Sequence, residues 1–305
     1  MSKKIILLSG PTASGKSNLA IELAKKINGE IINADSMQIF KEFTILSSRP
    51  TISHTKAVKH HLYGIISAKN QFSAGDWLNE VKKRIKICLR RKTVPIIVGG
   101  TGLYFSTITK GISKIPDIDI KTRTKVRNLY KKLGYKNFYI KLLKLDPKIK
   151  GRILPTDSQR VQRAYEVKFK TNKSLFDWFA NTKSDFEDFD IVKIFIDVPR
   201  DILLKKIYTR TEQMFKNGCI NEVKRFNKLN INKSLSVNKL IGVREINDFI
   251  NKAITLEQCK SLIYIKTRQY AKRQKTWARG HMKNWNMLYS KNLSNLLKKS
   301  LKVVT

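Results

Sequence analysis

A glycine-rich motif near the amino end constrains the fold of this chain more than any other feature. Residues 10–17 are Gly10, Pro11, Thr12, Ala13, Ser14, Gly15, Lys16 and Ser17, which match the pattern G-x-x-x-x-G-K-[ST] in full. An apolar run at residues 5–8 precedes the motif, and a stretch of helical periodicity over residues 19–27 follows it. This order of strand, glycine loop and helix predicts a P-loop, whose backbone N–H groups and helix N-terminus hold linked phosphates.

The side chains of the motif indicate what the loop binds. Lys16 can reach the terminal phosphate oxygens, and Ser17 can hold a magnesium ion. The sequence therefore predicts a ligand with two or more linked phosphates and Mg²⁺ as a cofactor. The loop alone does not define the reaction.

Strands and helices alternate through the first 110 residues and again later in the chain. Short apolar runs predict buried strands at residues 31–32, 94–98 and 194–198. Helical periodicity over residues 74–91 predicts a helix with one apolar face, formed by Trp77, Val81, Ile85 and Cys88. The pattern predicts an α/β fold with a P-loop NTPase-like parallel sheet flanked by helices. Asp35 and Thr101 follow strand ends, so we expect them to meet the P-loop in one crevice.

The composition changes after residue 115. Residues 116–190 are polar and mostly helical in period, which predicts a helical insertion domain. The catalytic core is then formed by residues 1–115 and 191–290. The remaining residues, 291–305, are rich in Lys, Leu and Ser, and we expect a loosely ordered tail.

The charge of the chain favours a polyanionic partner. It carries 62 lysine and arginine residues against 23 acidic residues, a formal net charge of +39 at pH 7. In a helix predicted over residues 257–279, four cations fall within about 60° of one another, namely Arg268, Lys272, Lys275 and Arg279. This stripe favours contact with a nucleic-acid backbone, and a solvated helix face is the alternative.

Other features limit the cellular setting. No apolar run approaches the roughly 18 residues that cross a bilayer, so no membrane segment is predicted. The three cysteines lie far apart and form no C-x-x-C pair, which argues against a disulfide framework and fits a reducing cytoplasm. We expect a cytoplasmic monomer.

Several motifs in a fixed order resemble the tRNA dimethylallyltransferase family, also called tRNA isopentenyltransferases or IPP transferases. They include GPTASGKS at 10–17, ADSMQIF at 34–40, HHLYG at 60–64, PIIVGGTGLYF at 95–105 and TRQYAKRQKTWAR at 267–279. The resemblance extends over about residues 4 to 285. Departures are Ser47-Ser48-Arg49-Pro50, where the family usually has G-T-A-K-P, and Val243, where it has tyrosine. They bear on substrate positioning.

The resemblance implies a prenyl transfer. The dimethylallyl group of dimethylallyl diphosphate passes to N6 of adenosine 37 in the tRNA anticodon loop, and diphosphate is released with help from magnesium. Arg210 matches the family position assigned to diphosphate contact. The attacking amino nitrogen is a weak nucleophile, so Asp35 is the candidate general base, with Thr101 holding the same amino group. A magnesium ligand or helix N-cap is the alternative for Asp35, and a turn residue for Thr101.

The resemblance also implies contacts with the tRNA anticodon stem-loop, some of them made by the insertion domain of residues 116–190. The matching residues are Asp35, Ser36, Met37, Gln38, Thr101, Arg123, Gln159, Arg160, Val161, Gln162, Arg163, Lys272, Arg273, Gln274, Lys275, Thr276, Trp277, Ala278 and Arg279. Gln38 can pair with a base edge. A solvated surface remains the alternative for the arginines. His60 and His61 match a family pair, and as neighbours in sequence they point apart, so a shared metal is disfavoured.

Two rival functions remain open. A small-molecule or nucleotide kinase would use the same P-loop on ATP. The segment from Gly99 to Gly102 and the basic carboxy-terminal helix, which such a kinase does not require, argue against it. A non-catalytic RNA-binding protein is the second rival, and the presence of Lys16, Asp35 and Thr101 argues against loss of activity.

Overall fold

The computed structural model describes residues 3–304, and its centre is a parallel sheet. The strands are β1 Lys4–Ser9, β2 Gly29–Asn33, β3 His60–His61, β4 Val94–Gly99, β5 Asp190–Asp197 and β6 Asn286–Tyr289. They lie in the order β3-β2-β4-β1-β5-β6, and each neighbouring pair is parallel. The doubly wound α/β core expected from the sequence is confirmed. In this arrangement the loops after β1, β2 and β4 leave the same edge of the sheet.

Helices account for most of the remaining described residues. They are α1 Lys16–Ile27, α2 Ile52–Ala57, α3 Ala74–Arg90, α4 Gly102–Thr109, α5 Ile120–Leu145, α6 Ser158–Thr171, α7 Leu175–Ala180, α8 Arg200–Lys216, α9 Cys219–Asn227, α10 Val243–Ile250, α11 Leu256–His281 and α12 Leu293–Val304. Short 3₁₀ turns lie at Pro147–Ile149 and Ser236–Lys239. Within residues 3–304, none of the helices combines the length and apolarity that a bilayer crossing requires.

The chain divides into two compact units. The first continues through Ser106 and resumes at Asp188, and the second is Thr107–Glu187. The second unit overlaps the predicted insertion of residues 116–190, but it begins nine residues earlier, at Thr107, and ends three residues earlier, at Glu187. Its own core joins buried residues of α5, such as Phe138 and Leu142, to residues of α6.

The core of the first unit forms because its central strands are apolar on both faces. Ile6 and Leu8 of β1 pack with Leu19 and Leu23 of α1, and all four are fully buried. This is the pattern expected of a strand with helices on both sides of the sheet. It fixes the P-loop between a rigid strand and a rigid helix.

Helix α3 is confirmed nearly residue for residue. Ser73 and Asp76 form a capping box that begins the helix, and the predicted apolar face is buried. The Trp77 indole N–H donates to the carbonyl of Asn33 at 2.8 Å, and its ring stacks on Tyr104 with centroids 4.1 Å apart. These contacts anchor α3 to the end of β2, just before Asp35.

The expectation of a loosely ordered tail is wrong. Residues 293–304 form α12, whose buried residues Leu296, Ser300 and Val304 recur every four positions. Leu296 and Val304 pack in the same apolar cluster as α1. The helical period of the apolar residues outweighs the high lysine content of this segment.

Gly99 at the end of β4 has no space for a side chain, because a Cβ there would overlap the carbonyl group of Ala34. We expect Gly99→Ala to lower the free energy of unfolding by about 2 kcal/mol. The thermal midpoint should then fall by about 5 °C, measured by circular dichroism. Gly280→Ala is the control, since a Cβ added at this position of α11 would meet no atom within 4 Å. That variant should unfold at or slightly above the wild-type midpoint, and equal behaviour of both variants would contradict the prediction.

Candidate active site

The P-loop connects β1 to α1 through an unusual backbone. Ala13 has φ 63° and Gly15 has φ 90°, so two residues of the loop adopt the left-handed conformation. The helix then begins with a hydrogen bond from Leu19 N–H to the carbonyl of Gly15. The loop curls in the way that the motif predicts, with the N-terminus of α1 at its end.

A cavity of about 700 Å³ opens beside the loop. P-loop residues line one side of it, namely Thr12, Ala13, Gly15, Lys16 and Ser17. Asp35, Gln38, Gly99 and Arg210 contribute other parts of the wall. Residues of the loops after β1 and β2 and the last residue of β4 therefore meet in one crevice, whereas Thr101 is not among the residues that line it.

Lys16 lines this cavity and donates to the carbonyl of Pro11 at 3.2 Å. Burial lowers the pKa of Lys16 from 10.5 to about 8. The nearby Asp35 carboxylate opposes this shift, and the positive charge of Arg210 adds to it. Burial also lowers the pKa of Arg210. Two cations against one carboxylate leave an excess of positive charge, which suits a bound anion.

Asp35 and Thr101 are held by the backbone of the loops that carry them. Asp35 Oδ1 accepts from the N–H of Met37 at 2.9 Å, and Thr101 Oγ1 accepts from the N–H of Ser36 at 3.0 Å. A turn and not a helix follows Asp35, so the N-cap alternative is wrong. Within residues 3–304, Asp35 Oδ2 accepts no hydrogen bond, which leaves one carboxylate oxygen available to a substrate.

The segment that departs from the family pattern is integrated into the cavity wall. Gln38 Nε2 donates to the carbonyls of Ser47 and Ser48 at 2.9 and 3.0 Å. The Arg49 guanidinium lies against Gly64, where a Cβ would overlap it. Ser48 takes a left-handed φ of 52°, so this loop closes without the family glycine.

Two residues of this site escaped the sequence analysis. The buried Glu222 carboxylate of α9 accepts the N–H groups of residues 44–46 at 2.6 to 2.9 Å and so fixes the cavity wall. Lys206 Nζ lies 3.9 Å from where a Cβ of Gly15 would be. The spacing of Lys206 and Arg210 on α8, four residues apart, is the signal that could have revealed Lys206.

The basic stripe of α11 is partly exposed. Arg268, Lys272 and Arg279 are exposed, whereas Lys275 pairs with Asp197 at 2.7 Å. The other positions of this segment that match the family differ in exposure. Arg273 and Thr276 are exposed, Gln274 and Ala278 are buried, and Trp277 lies against Gly102.

The remaining matched tRNA positions lie in the second unit. Arg123 is half-buried on α5. On α6, Gln159 and Arg160 are exposed, Gln162 and Arg163 are half-buried, and Val161 is buried in the core of that unit. Arg160 pairs with Asp157 at 3.2 Å, and Arg163 pairs with Glu166 at 3.4 Å.

The adjacent histidines have separate partners. His60 Nδ1 bonds the carbonyl of Val58 at 2.7 Å, and His61 Nε2 bonds Glu30 at 2.6 Å. Cys88 also lies close to Glu30 and His61. Burial raises the pKa of the Cys88 thiol to about 11. The Arg91 guanidinium lies 3.6 Å from the Glu30 carboxylate and supplies its counter-charge. A hydrogen-bonded network therefore occupies this edge of the sheet.

The parallel α/β core, with a P-loop that opens beside a carboxylate, defines a P-loop protein. The chain belongs to the IPP transferase family, whose model matches residues 38–281. It is 54% identical to a tRNA dimethylallyltransferase of Pelagibacter ubique, over 97% of this chain and 95% of that relative. A tRNA dimethylallyltransferase of Rickettsia massiliae is 40% identical, over 99% of this chain and 84% of the relative.

Solved structures agree with this assignment. A eukaryotic dimethylallyltransferase acting on tRNA matches with a TM-score of 0.85 and 28% identity, over 98% of this chain and 78% of that one. The full-length tRNA isopentenylpyrophosphate transferase of Bacillus halodurans matches with a TM-score of 0.71 and 29% identity, over 99% and 97%. The fold is therefore shared across the whole described chain.

Proposed function

We propose that this chain is a tRNA dimethylallyltransferase that transfers the dimethylallyl group of dimethylallyl diphosphate to N6 of adenosine 37, beside the tRNA anticodon. The observation that carries the proposal is one cavity lined by the P-loop, Arg210 and the Asp35 carboxylate. Membership of the IPP transferase family and the names of the relatives support it. The kinase alternative is not favoured.

In the proposed reaction, N6 of the adenosine attacks the primary carbon of the donor. The bond from that carbon to the diphosphate oxygen breaks, and the bonding pair leaves with the diphosphate. Loop N–H groups, Lys16 and Arg210 stabilise the charge that develops there. Asp35 accepts the proton that N6 loses, and the Thr101 hydroxyl orients the amino group.

Mg²⁺ fits the oxygen donors of this cavity. Ser17 is exposed at the first turn of α1, and both Ser17 and Asp35 are among the residues that line the cavity. Magnesium prefers such oxygen ligands and retains several waters. When bound, the ion would neutralise charge on the diphosphate.

For the tRNA, we propose a docking surface that includes the exposed cations Arg268, Lys272 and Arg279 of α11. Phosphate contacts of this kind weaken as salt rises. We further propose that the protein acts as a monomer in the cytoplasm, where its tRNA substrate is found.

Mass analysis of tRNA nucleosides tests the function directly. Unmodified tRNA is incubated with the protein, magnesium and dimethylallyl diphosphate, and a parallel reaction contains ATP in place of the prenyl donor. The proposal expects a dimethylallyl adenosine only in the first reaction. Consumption of ATP with phosphorylation of a product would favour the kinase instead.

The pKa of Lys16 predicts a pH dependence. Since burial lowers this pKa to about 8, the charged form prevails below pH 8 and is lost as the pH rises. Diphosphate binding should weaken in parallel, so kcat/KM for the prenyl donor should fall toward about tenfold per pH unit above 8. Initial rates between pH 7 and 9.5 measure this, with tRNA affinity followed at the same pH values. A flat profile to pH 9.5 would contradict the lowered pKa.

A further inference from the structure

Gln274 connects α11 to the two glycine loops of the cavity. Its side-chain Oε1 accepts from the N–H of Thr12 at 2.8 Å, and its Nε2 donates to the carbonyl of Gly100 at 3.0 Å. The residue is only 9% exposed. Gly100 provides the necessary space, because a Cβ there would overlap Nε2. A single buried amide thus bridges the loop after β1 and the loop after β4.

Thr12 is held from two helices at the point where the P-loop is strained. Arg210 Nη1 of α8 donates to Thr12 Oγ1 at 2.9 Å, while Gln274 of α11 binds its N–H. The next residue, Ala13, has a left-handed φ of 63°, which residues with a Cβ disfavour. Such a conformation persists only where the surroundings fix it. The contacts to Thr12 supply that constraint.

The same turn of α11 faces outward with positive charge. Lys272 and Arg273 precede Gln274 and are exposed, and Lys275 follows it and pairs with Asp197 at the end of β5. Because Gln274 lies on this same turn, a displacement of the turn would also displace the amide that holds Thr12. The outer surface and the P-loop therefore share one rigid element.

We infer that Gln274 is a positioning residue that transmits tRNA docking on α11 to the shape of the P-loop, so that tRNA and diphosphate bind cooperatively. The inference rests on the proposed function, because it takes tRNA as the ligand of α11. A buried glutamine that only stabilises the fold would leave the affinities of the two ligands independent. Coupling between two sites is reciprocal and can be measured as a ratio of affinities.

The experiment compares wild type with Gln274→Met, which keeps the side-chain length and removes both hydrogen bonds. Calorimetry gives the dissociation constant of inorganic diphosphate with magnesium, with and without a saturating unmodified anticodon stem-loop. We expect the RNA to tighten diphosphate binding by about fivefold or more in wild type. In Gln274→Met, binding should weaken about tenfold and this tightening should disappear. The affinity for the stem-loop alone should change less than about twofold.

Gln269→Met is the matched control, since Gln269 is exposed on the same helix. It should behave as wild type in both measurements. Unchanged diphosphate affinity and unchanged coupling in Gln274→Met would overturn the inference. An equal loss of affinity for diphosphate and for the stem-loop, together with a lower unfolding temperature, would also overturn it. If that variant fails to fold, wild type alone decides, because no tightening by RNA would also overturn it. Prenyl transfer by the same wild-type preparation is assayed separately, and failure there would refute the proposed function without affecting the diphosphate measurement.

Discussion

Asp35→Asn is expected to lower kcat for prenyl transfer by about 10³-fold, within the range of general-base catalysis. Asparagine keeps an oxygen that can accept from the N–H of Met37, so the turn after β2 should survive. It cannot take the proton of the attacking amino group. Single-turnover transfer to tRNA, with enzyme in excess, measures the loss without interference from product release.

The affinity for tRNA separates catalysis from binding. Filter binding should give a dissociation constant within about twofold of wild type for Asp35→Asn. Asp201→Asn is the control, because this exposed carboxylate lies in the first turn of α8. It should leave both quantities nearly unchanged. A loss of tRNA affinity as large as the loss of rate in Asp35→Asn would show that Asp35 binds the substrate and is not its base.

Lys16→Met is expected to reduce kcat by about 10²- to 10³-fold, the usual effect of losing one donor to a developing charge. The lysine lines the cavity near Asp35 and Arg210, where low solvent access strengthens its interaction with phosphate oxygens. Steady-state rates with varied dimethylallyl diphosphate give kcat and KM separately. KM for the donor should also rise, because the ground-state diphosphate already carries negative charge.

Lys26→Met provides the comparison for Lys16, since Lys26 is exposed in the last turn of α1. Its effect on kcat should be less than about twofold. The pH dependence above pH 8 should also vanish in Lys16→Met while it persists in Lys26→Met. If Lys16→Met raised only KM and left kcat intact, the lysine would bind the ground state and transition state equally.

The parts of the fold that the sequence predicts well are those set by local pattern. The P-loop follows from eight contiguous residues, and the α3 face from apolar residues spaced three to four apart, with Ser73 and Asp76 marking its start. The convergence of Asp35 and the P-loop on one cavity follows from a general property of parallel sheets. These features need no knowledge of which distant residues touch.

Features that depend on long-range contacts were not predictable in the same way. Gln274 lies within a basic segment, yet it faces inward because Gly100 and Thr12 offer it partners. Lys275 belongs to the same stripe, but Asp197 neutralises it. Glu222 appears as one acidic residue among many until the chain folds and brings it to the N–H groups of residues 44–46. Periodicity places a residue on one face of a helix or strand, but it does not identify which residues pack against that face.

The bond between Gln274 and Thr12 joins residues 262 positions apart. Contacts of such separation form late, because a long stretch of chain must close before they gain anything. The P-loop is synthesised well before α11, which carries the amide that binds the N–H of Thr12. We therefore expect a nascent chain that ends before Gln274 to carry the complete motif without the contact that holds Thr12.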